Sequence, residues 1–444
     1  MKKTAGIISL GCPKNQVDCE LMINKLQKAG YKITDDIEHS DVVVVNTCGF
    51  IESAKQEAID NILYAAELKQ HGRVKAVVVT GCLAQRYREQ VMQLIPEADA
   101  VIGIGANADI AWVCDAALKG KRTESFPPVC EMPMNGERTL TTPPYFSYLR
   151  VADGCSNRCT YCAIPLIRGE FRSRKTEDII AEAKTLAAQG VKEIAVIAQD
   201  TTKYGYDLYG CLMLPQLLKK LCEIDGIEWI RILYCYPDFI TDELLETINS
   251  EEKICKYIDI PLQHADGKIL RKMNRRGDRD SLMRLINNIR EKIDGVTVRT
   301  TFITGFPGEG EDEFITLYDF VKEAAFDRMG CFAYSAEEDT EAAAMENQVD
   351  DETKQKRLDI IMRLQHDITC EKNEKRIGEI CRVIVDGYDG YTDSYYGRSG
   401  SDAYEIDTQI YFTSAVELFN GEFVMVKITD TDEYDLIGEA VELL

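Results

Sequence analysis

The chain has 444 residues, 45% hydrophobic and 29% charged, which is room for about two to four domains with cores of their own. Its net charge of −23 argues against a general polyanion binder, and no apolar run approaches the length of a membrane span. The opening MKKTAGIISLGC has too short an apolar run for a signal peptide, and Ser9 stands where a lipobox before Cys12 needs an aliphatic residue. The expectation is a cytoplasmic protein whose 16 cysteines are reduced thiols.

Residues 1–120 alternate short apolar strands with amphipathic helices. AGIISL, DVVVVN and KAVVVT read as strands. Between the first two, Val17, Leu21, Met22 and Leu26 form a helical stripe that Gly30 can end; after the second, Ile51, Ala54, Ala58, Ile62 and Ala65 repeat the pattern. This rhythm predicts a doubly wound parallel sheet. Each strand runs into a cysteine: Cys12 in SLGC, Cys48 in VNTC and Cys82 in VTGC. Ligands bind beyond the carboxyl ends of such strands, so the three thiols can converge there. The plainer alternative is three unconnected core thiols.

Residues 121–143 are Pro-rich and aperiodic and read as a linker. A second βα series fills 144–373, with strands expected at YFSYLRV, KEIAVIA, WIRILYC, KYIDIPL, VTVRTTFIT and DRMGCFAY. Six units predict a partial barrel, with its site at the strand carboxyl ends. A long helix over about 351–375 leads into 374–444, whose short runs CRVIVDGY, EFVMVKIT and DLIGEAVEL predict a small β-barrel. That last piece carries 16 acidic and 5 basic residues, a net of −11.

GCSNRCTYC, directly after the first strand of the second series, places Cys155, Cys159 and Cys162 at i, i+4 and i+7. Structural zinc sites and saturated 4Fe–4S clusters each want four ligands. Three thiolates leave one metal corner open for a small molecule. This spacing is the signature of the radical-SAM superfamily, in which the free iron chelates S-adenosylmethionine (SAM) and an electron releases a 5′-deoxyadenosyl radical.

Longer stretches narrow the resemblance. SLGCPKNQVDCE, NTCGFIESAKQEAI, GCLAQRY, GCSNRCTYCAIPLIRGEFRSR, AQDTTKYG, YIDIPLQHA and RTTFITGFPGE resemble the methylthiotransferases. They are closest to the branch that modifies an aspartate of small-subunit ribosomal protein number twelve. The branch that modifies an adenosine of transfer RNA typically has GCQMN for GCPKN and GQNVNSYG for AQDTTKYG. The resemblance spans about residue 5 to the C-terminus and implies a flavodoxin-like N-terminal domain, a radical-SAM (β/α)6 partial barrel and a C-terminal TRAM β-barrel. It further implies two 4Fe–4S clusters, one on Cys12, Cys48 and Cys82 and one, binding SAM, on Cys155, Cys159 and Cys162. SAM would be both radical source and methyl donor, and reduced flavodoxin or ferredoxin the electron donor. Cys19 departs from the family, which usually has serine there.

The SAM pocket is expected to include Tyr161, Asp200 (in AQD), Arg231 and Gly305, with Arg168 a further candidate. The run Arg271, Lys272, Arg275, Arg276 reads either as a contact for RNA or a carboxylate or as a solvated face. TRAM domains generally bind RNA, yet an acidic one repels phosphate and suits a basic protein. A transfer RNA substrate is therefore disfavoured, and an iron–sulfur electron carrier is the reading from a different class.

Overall fold

In the computed structural model, which describes residues 3–443, the first six strands form one parallel sheet. They are β1 (Thr4–Ser9), β2 (Lys32–Thr34), β3 (Val42–Thr47), β4 (Ala76–Gly81), β5 (Ala100–Ile102) and β6 (Thr123–Ser125), in the order β2-β1-β3-β4-β5-β6. VVVVNT and AVVVTG are buried on both faces, as parallel strands covered by helices must be. The faces sort by residue parity. Val43, Val45, Val77 and Val79 pack with residues of α2 (Glu52–Gln70) and α3 (Cys82–Leu94), whereas Val42, Val44, Ala76 and Val78 pack with α1 (Pro13–Lys28) and α4 (Ile110–Ala117).

Strand β6 lies inside the stretch expected to be linker and pairs with β5. The remainder is pinned rather than loose: Arg150 donates to the Pro133 carbonyl, and the buried Arg138 pairs with Glu20 of α1 at 3.0 Å.

After β7 (Phe146–Arg150) a short antiparallel pair, β8 (Ala152–Asp153) and β9 (Arg172–Ser173), frames the second cysteine loop. The series continues with β10 (Glu193–Ile197), β11 (Trp229–Ile232), β12 (Ile254–Gln263), β13 (Thr297–Thr304) and β14 (Arg328–Ala333). These form an open six-stranded parallel sheet in the order β14-β13-β12-β11-β10-β7. One face packs on the sheet's own helices through Leu149, Ile194, Val196, Ile230 and Ile232. The other, carrying Phe146, Tyr148, Trp229 and Tyr257, meets Val17 and Leu21 of α1 and Ile384, Ala403 and Phe423 of the last domain.

That last domain follows a helix over Asp351–Lys375 and is a closed five-stranded barrel. Its strands are β15 (Ile380–Asp389), β16 (Ser394–Ser399), β17 (Ile410–Thr413), β18 (Phe423–Asp432) and β19 (Asp435–Leu443). Among the described residues no helix is long and apolar enough to cross a membrane.

Candidate functional site: two cysteine triads and the charges between them

In the order β2-β1-β3-β4 the sheet changes direction between β1 and β3, and ligand crevices open at such points. Cys12 caps α1 just beyond β1, Cys48 follows β3, and Cys82 begins α3 directly after β4. Glycines let these chain segments close up. A Cβ on Gly11 would lie 3.0 Å from the Cys48 sulfur. At Gly81 (φ +96°) a Cβ would stand 2.4 Å from the Thr47 backbone N and O, and the positive φ already disfavours a side chain. Gly81→Ala should therefore cost about 2–5 kcal/mol and displace Cys82. Urea unfolding of the variant measures the first effect and iron content after reconstitution the second; unchanged values in both would refute it.

The loop of Cys155, Cys159 and Cys162 runs between β8 and α5 (Ile164–Arg168). Asp200, beyond β10, accepts hydrogen bonds from Asn157 of this loop at 2.9 Å and from Thr202 at 2.6 Å, and burial pushes its carboxyl up. Tyr161 packs with Ile269, Met273, Phe306 and Tyr334. Arg275 brings its guanidinium to 3.8 Å from the Cys159 sulfur and stacks on Tyr236. Within the basic run only Arg275 is buried, against a cysteine, and together with the exposed Arg271 and Arg276 it lines an open cleft of about 430 Å³ beside Ser156 and Asn157.

The two triads stand one short helix apart. Ala163, just before α5, and Ile167, one residue from its end, pack on Cys82, and Arg168 at its end donates toward the Cys82 sulfur at 3.7 Å. Arg168 also pairs with Asp18 and Asp153, both at 2.9 Å, and Arg150 bridges the same two carboxylates. All four side chains are at most 1% exposed. Burial opposes every one of these charges, yet mutual attraction wins: Asp153 is held below the usual carboxylate range and Arg168 above its own. On the other side, the buried Lys14 sets its ammonium 3.3 Å over the Tyr234 ring. Tyr234 holds φ +62°, fixed by its N–H to Asp259 and its carbonyl to Thr201.

The donor set suits iron. Burial pushes the Cys155 thiol up to about 11 and that of Cys82 up to about 12, so these sulfurs become thiolates at neutral pH only beside a strong cation. Among the described residues no three His, Cys, Asp or Glu side chains could hold a single metal ion. A 4Fe–4S cluster binds each thiolate to a different iron and needs a wider triangle.

One expected pocket residue points away from the cysteine loop. Arg231 points to the last domain, pairing with Glu193 at 3.0 Å and donating to the carbonyls of Ser399 and Gly400; its strand face is the one that domain covers. Gly305 (φ +71°) makes room for the long helix, since a Cβ there would stand 2.2 Å from Cγ of Lys354. Cys19 is buried, with a thiol that burial pushes up to about 12 and a hydrogen bond to Ser9. The polar groups around the triads that sequence reading missed, Lys14, Asp18, Arg150, Asp153 and Tyr234, come from separate segments. The one local sign was in α1, where Lys14, Asn15, Asp18 and Glu20 are buried alongside Val17 and Leu21.

The ribosomal protein uS12 methylthiotransferase RimO of Clostridioides difficile is 49% identical over 435 residues, covering 98% of both chains. The chain belongs to the RimO family. The RimO proteins of Desulfitobacterium hafniense and Lachnoclostridium phytofermentans match at 46% and 48%, over 100% and 98% of this chain and 99% of each of theirs. Three family models divide this RimO-family chain: the uncharacterized protein family UPF0004 at residues 4–103, the radical SAM superfamily at 149–321 and the TRAM domain at 377–441. The radical SAM methyltransferase TsrM of Kitasatospora setae shares the fold, with a TM-score of 0.57 at 13% identity over 74% of this chain and 73% of that one. Membership makes the RimO-family chain a radical-SAM methylthiotransferase that uses a 4Fe–4S cluster and SAM.

Proposed function

We propose that the chain replaces one hydrogen on the β-carbon of an aspartate in ribosomal protein uS12 by a methylthio group. On this reading Cys155, Cys159 and Cys162 hold the cluster that binds SAM, and Cys12, Cys48 and Cys82 hold a second 4Fe–4S cluster. The observation that carries it is the junction: two triads, each lacking a fourth ligand, stand one five-residue helix apart, with Arg168 beside Cys82. An electron carrier would saturate its clusters and has no need of that adjacency.

The cluster held by Cys155, Cys159 and Cys162 would supply the electron that cleaves SAM, drawn from reduced flavodoxin or ferredoxin. The chain's own residues position and shield. Asn157 and Asp200 fix the cysteine loop, Arg275 keeps a positive charge beside Cys159, and Asp18, Arg150, Asp153 and Arg168 lock the two domains in register. The partner follows from charge. Asp402 and Asp407 of the last domain are neutralised by Arg328 and Arg299 of the central sheet. Asp430, Asp432, Glu433 and Glu439 remain exposed on the β18–β19 hairpin, where they attract a basic ribosomal protein and repel transfer RNA.

The test is anaerobic incubation of the reconstituted protein with dithionite, SAM, sulfide and either uS12 or bulk transfer RNA, followed by mass spectrometry. The expected result is SCH3 in place of H on an aspartate of uS12 and none on RNA. Modification of RNA adenosine alone overturns the reading.

A further inference from the structure

Alternation along the strands of the last barrel sorts its aromatic side chains into two sets. Phe412 fills the barrel core, with Tyr395 stacked on it. The neighbouring residues, Tyr396 of β16 and Tyr411 of β17, therefore face outward. They are direct cross-strand partners with ring centroids 6.3 Å apart. The row continues through the exposed Ile437 of β19 to the exposed Asp430 of β18. At its other end stands Gly387 of β15, where a Cβ would collide with the Tyr396 ring. The missing side chain lets that ring lie down across β15. Tyr388, 52% exposed, and the fully exposed Tyr391 carry the aromatic surface on to the β15–β16 turn.

The surface is acidic and holds no cation of its own. Residues 380–443 include three basic side chains. Arg398 is buried against Glu193 and Asp386 and stacks on Phe146 and Tyr404. Arg382 pairs with Glu228 and stacks on Phe423. Lys427 stands opposite Glu439. Among the described residues, none of the three sits over Tyr388, Tyr391, Tyr396 or Tyr411. The charges that bear on Tyr411 are Asp435 and Asp389, which add to burial in pushing its phenol up. A ring face is the negative side of its quadrupole, so two rings set among carboxylates attract a cation.

We infer that Tyr396 and Tyr411 form a docking face for a basic segment of the protein substrate, with an arginine guanidinium stacked on the rings between Asp389 and Asp430. The inference rests on the function proposed above and adds the surface that grips the substrate away from its reacting residue. Arginine suits the face better than lysine, because its planar guanidinium stacks on rings and gives up its water more readily. Rings can also stack nucleic-acid bases, but such sites need a positive groove for the backbone. Here phosphates would meet Asp389, Asp430, Asp432 and Glu439, with Lys427 the one exposed cation of the barrel that has no ion-pair partner. Tyr396 is two residues from Arg398, whose pairing with Glu193 fixes the barrel on the central sheet. A segment docked on the row is thus held at a set place relative to the second triad.

The test measures equilibrium binding of uS12 to reconstituted wild type and two double variants. Tyr396→Phe with Tyr411→Phe keeps the ring faces and should bind within about twofold of wild type. Tyr396→Leu with Tyr411→Leu keeps the apolar area, removes the quadrupoles and should bind about tenfold more weakly, with unchanged formation of 5′-deoxyadenosine in the absence of uS12. Hydroxyl-radical footprinting of wild type gives a reading that no folding defect can confound: uS12 should protect Tyr396 and Tyr411, and bulk transfer RNA should not. Wild-type affinity in the leucine pair overturns the inference, as does the absence of protection by uS12 or protection by transfer RNA in its place. Modification of transfer RNA alone in the mass-spectrometric assay would instead overturn the function on which the inference rests.

Discussion

Cys48→Ala is expected to keep the formation of 5′-deoxyadenosine from SAM and to lose methylthio transfer, while Cys159→Ala loses both. The argument is positional. Cys48 stands beyond β3, packed against Gly11. The groups that shape the second triad, namely Asn157, Asp200, Tyr161 and Arg275, belong to the central sheet and its loops. Removing one sulfur at Cys48 leaves all of these in place. Alanine fills most of the cysteine volume, and Cys48 is only partly buried, so the fold should survive. Iron should fall from about eight to about four atoms per chain in either variant, and the two losses are told apart by the product formed. Chromatography of 5′-deoxyadenosine and mass spectrometry of uS12 read the two functions independently. Methylthio transfer by Cys48→Ala at the wild-type rate would remove the first triad from the reaction.

What could be read from the sequence divides by how local its cause is. Strands of four or more residues in the first two domains, such as VVVVNT and AVVVTG, announce themselves by unbroken apolar runs, and the three cysteines beyond them were visible for the same reason. The three-residue strands β2, β5 and β6 are too short to show a period, so β6 was read as linker. In the last barrel β16, SYYGRS, went unseen because Gly, Ser and Arg break its apolar alternation, and β17, IYFT, because it is only four residues long. Cysteine ligands are legible because few other side chains can bind iron. Lys14 and Tyr234 are ordinary residues 220 positions apart, and only the packing of α1 on the central sheet makes them neighbours. Arg231 fails in the opposite direction. An arginine near a strand end suggests a pocket, but its partners at Ser399 and Gly400 lie about 170 residues downstream, beyond the reach of any local pattern.

Those partners mark the second large expected effect, at the seam between the central sheet and the last barrel. Glu193 of β10 accepts from Arg231 at 3.0 Å and from Arg398 of β16 at 2.7 Å, and all three side chains are at most 2% exposed. Burial alone would push the Glu193 carboxyl up, but Arg398 and then Arg231 outweigh it and hold it below its ordinary 4.5. Glu193→Gln keeps the shape and one acceptor and removes the charge. Arg398 retains Asp386 at 2.7 Å, whereas Arg231 is left with carbonyls only. Stranding a buried cation in this way costs about 3–5 kcal/mol, comparable to a large share of a domain's stability, so the urea midpoint should fall markedly. Proteolysis should open the chain near the end of the long helix, at Lys375. The sign with pH follows from the depressed carboxyl. Its contribution is fully present above about pH 4.5, where the unfolded carboxyl is also ionised, and is lost as pH falls through the lower folded value. Wild type should therefore lose stability on acidification below 4.5 more steeply than Glu193→Gln, with the two urea midpoints converging. Parallel pH profiles would mean that Glu193 is not the group whose charge holds the two domains together.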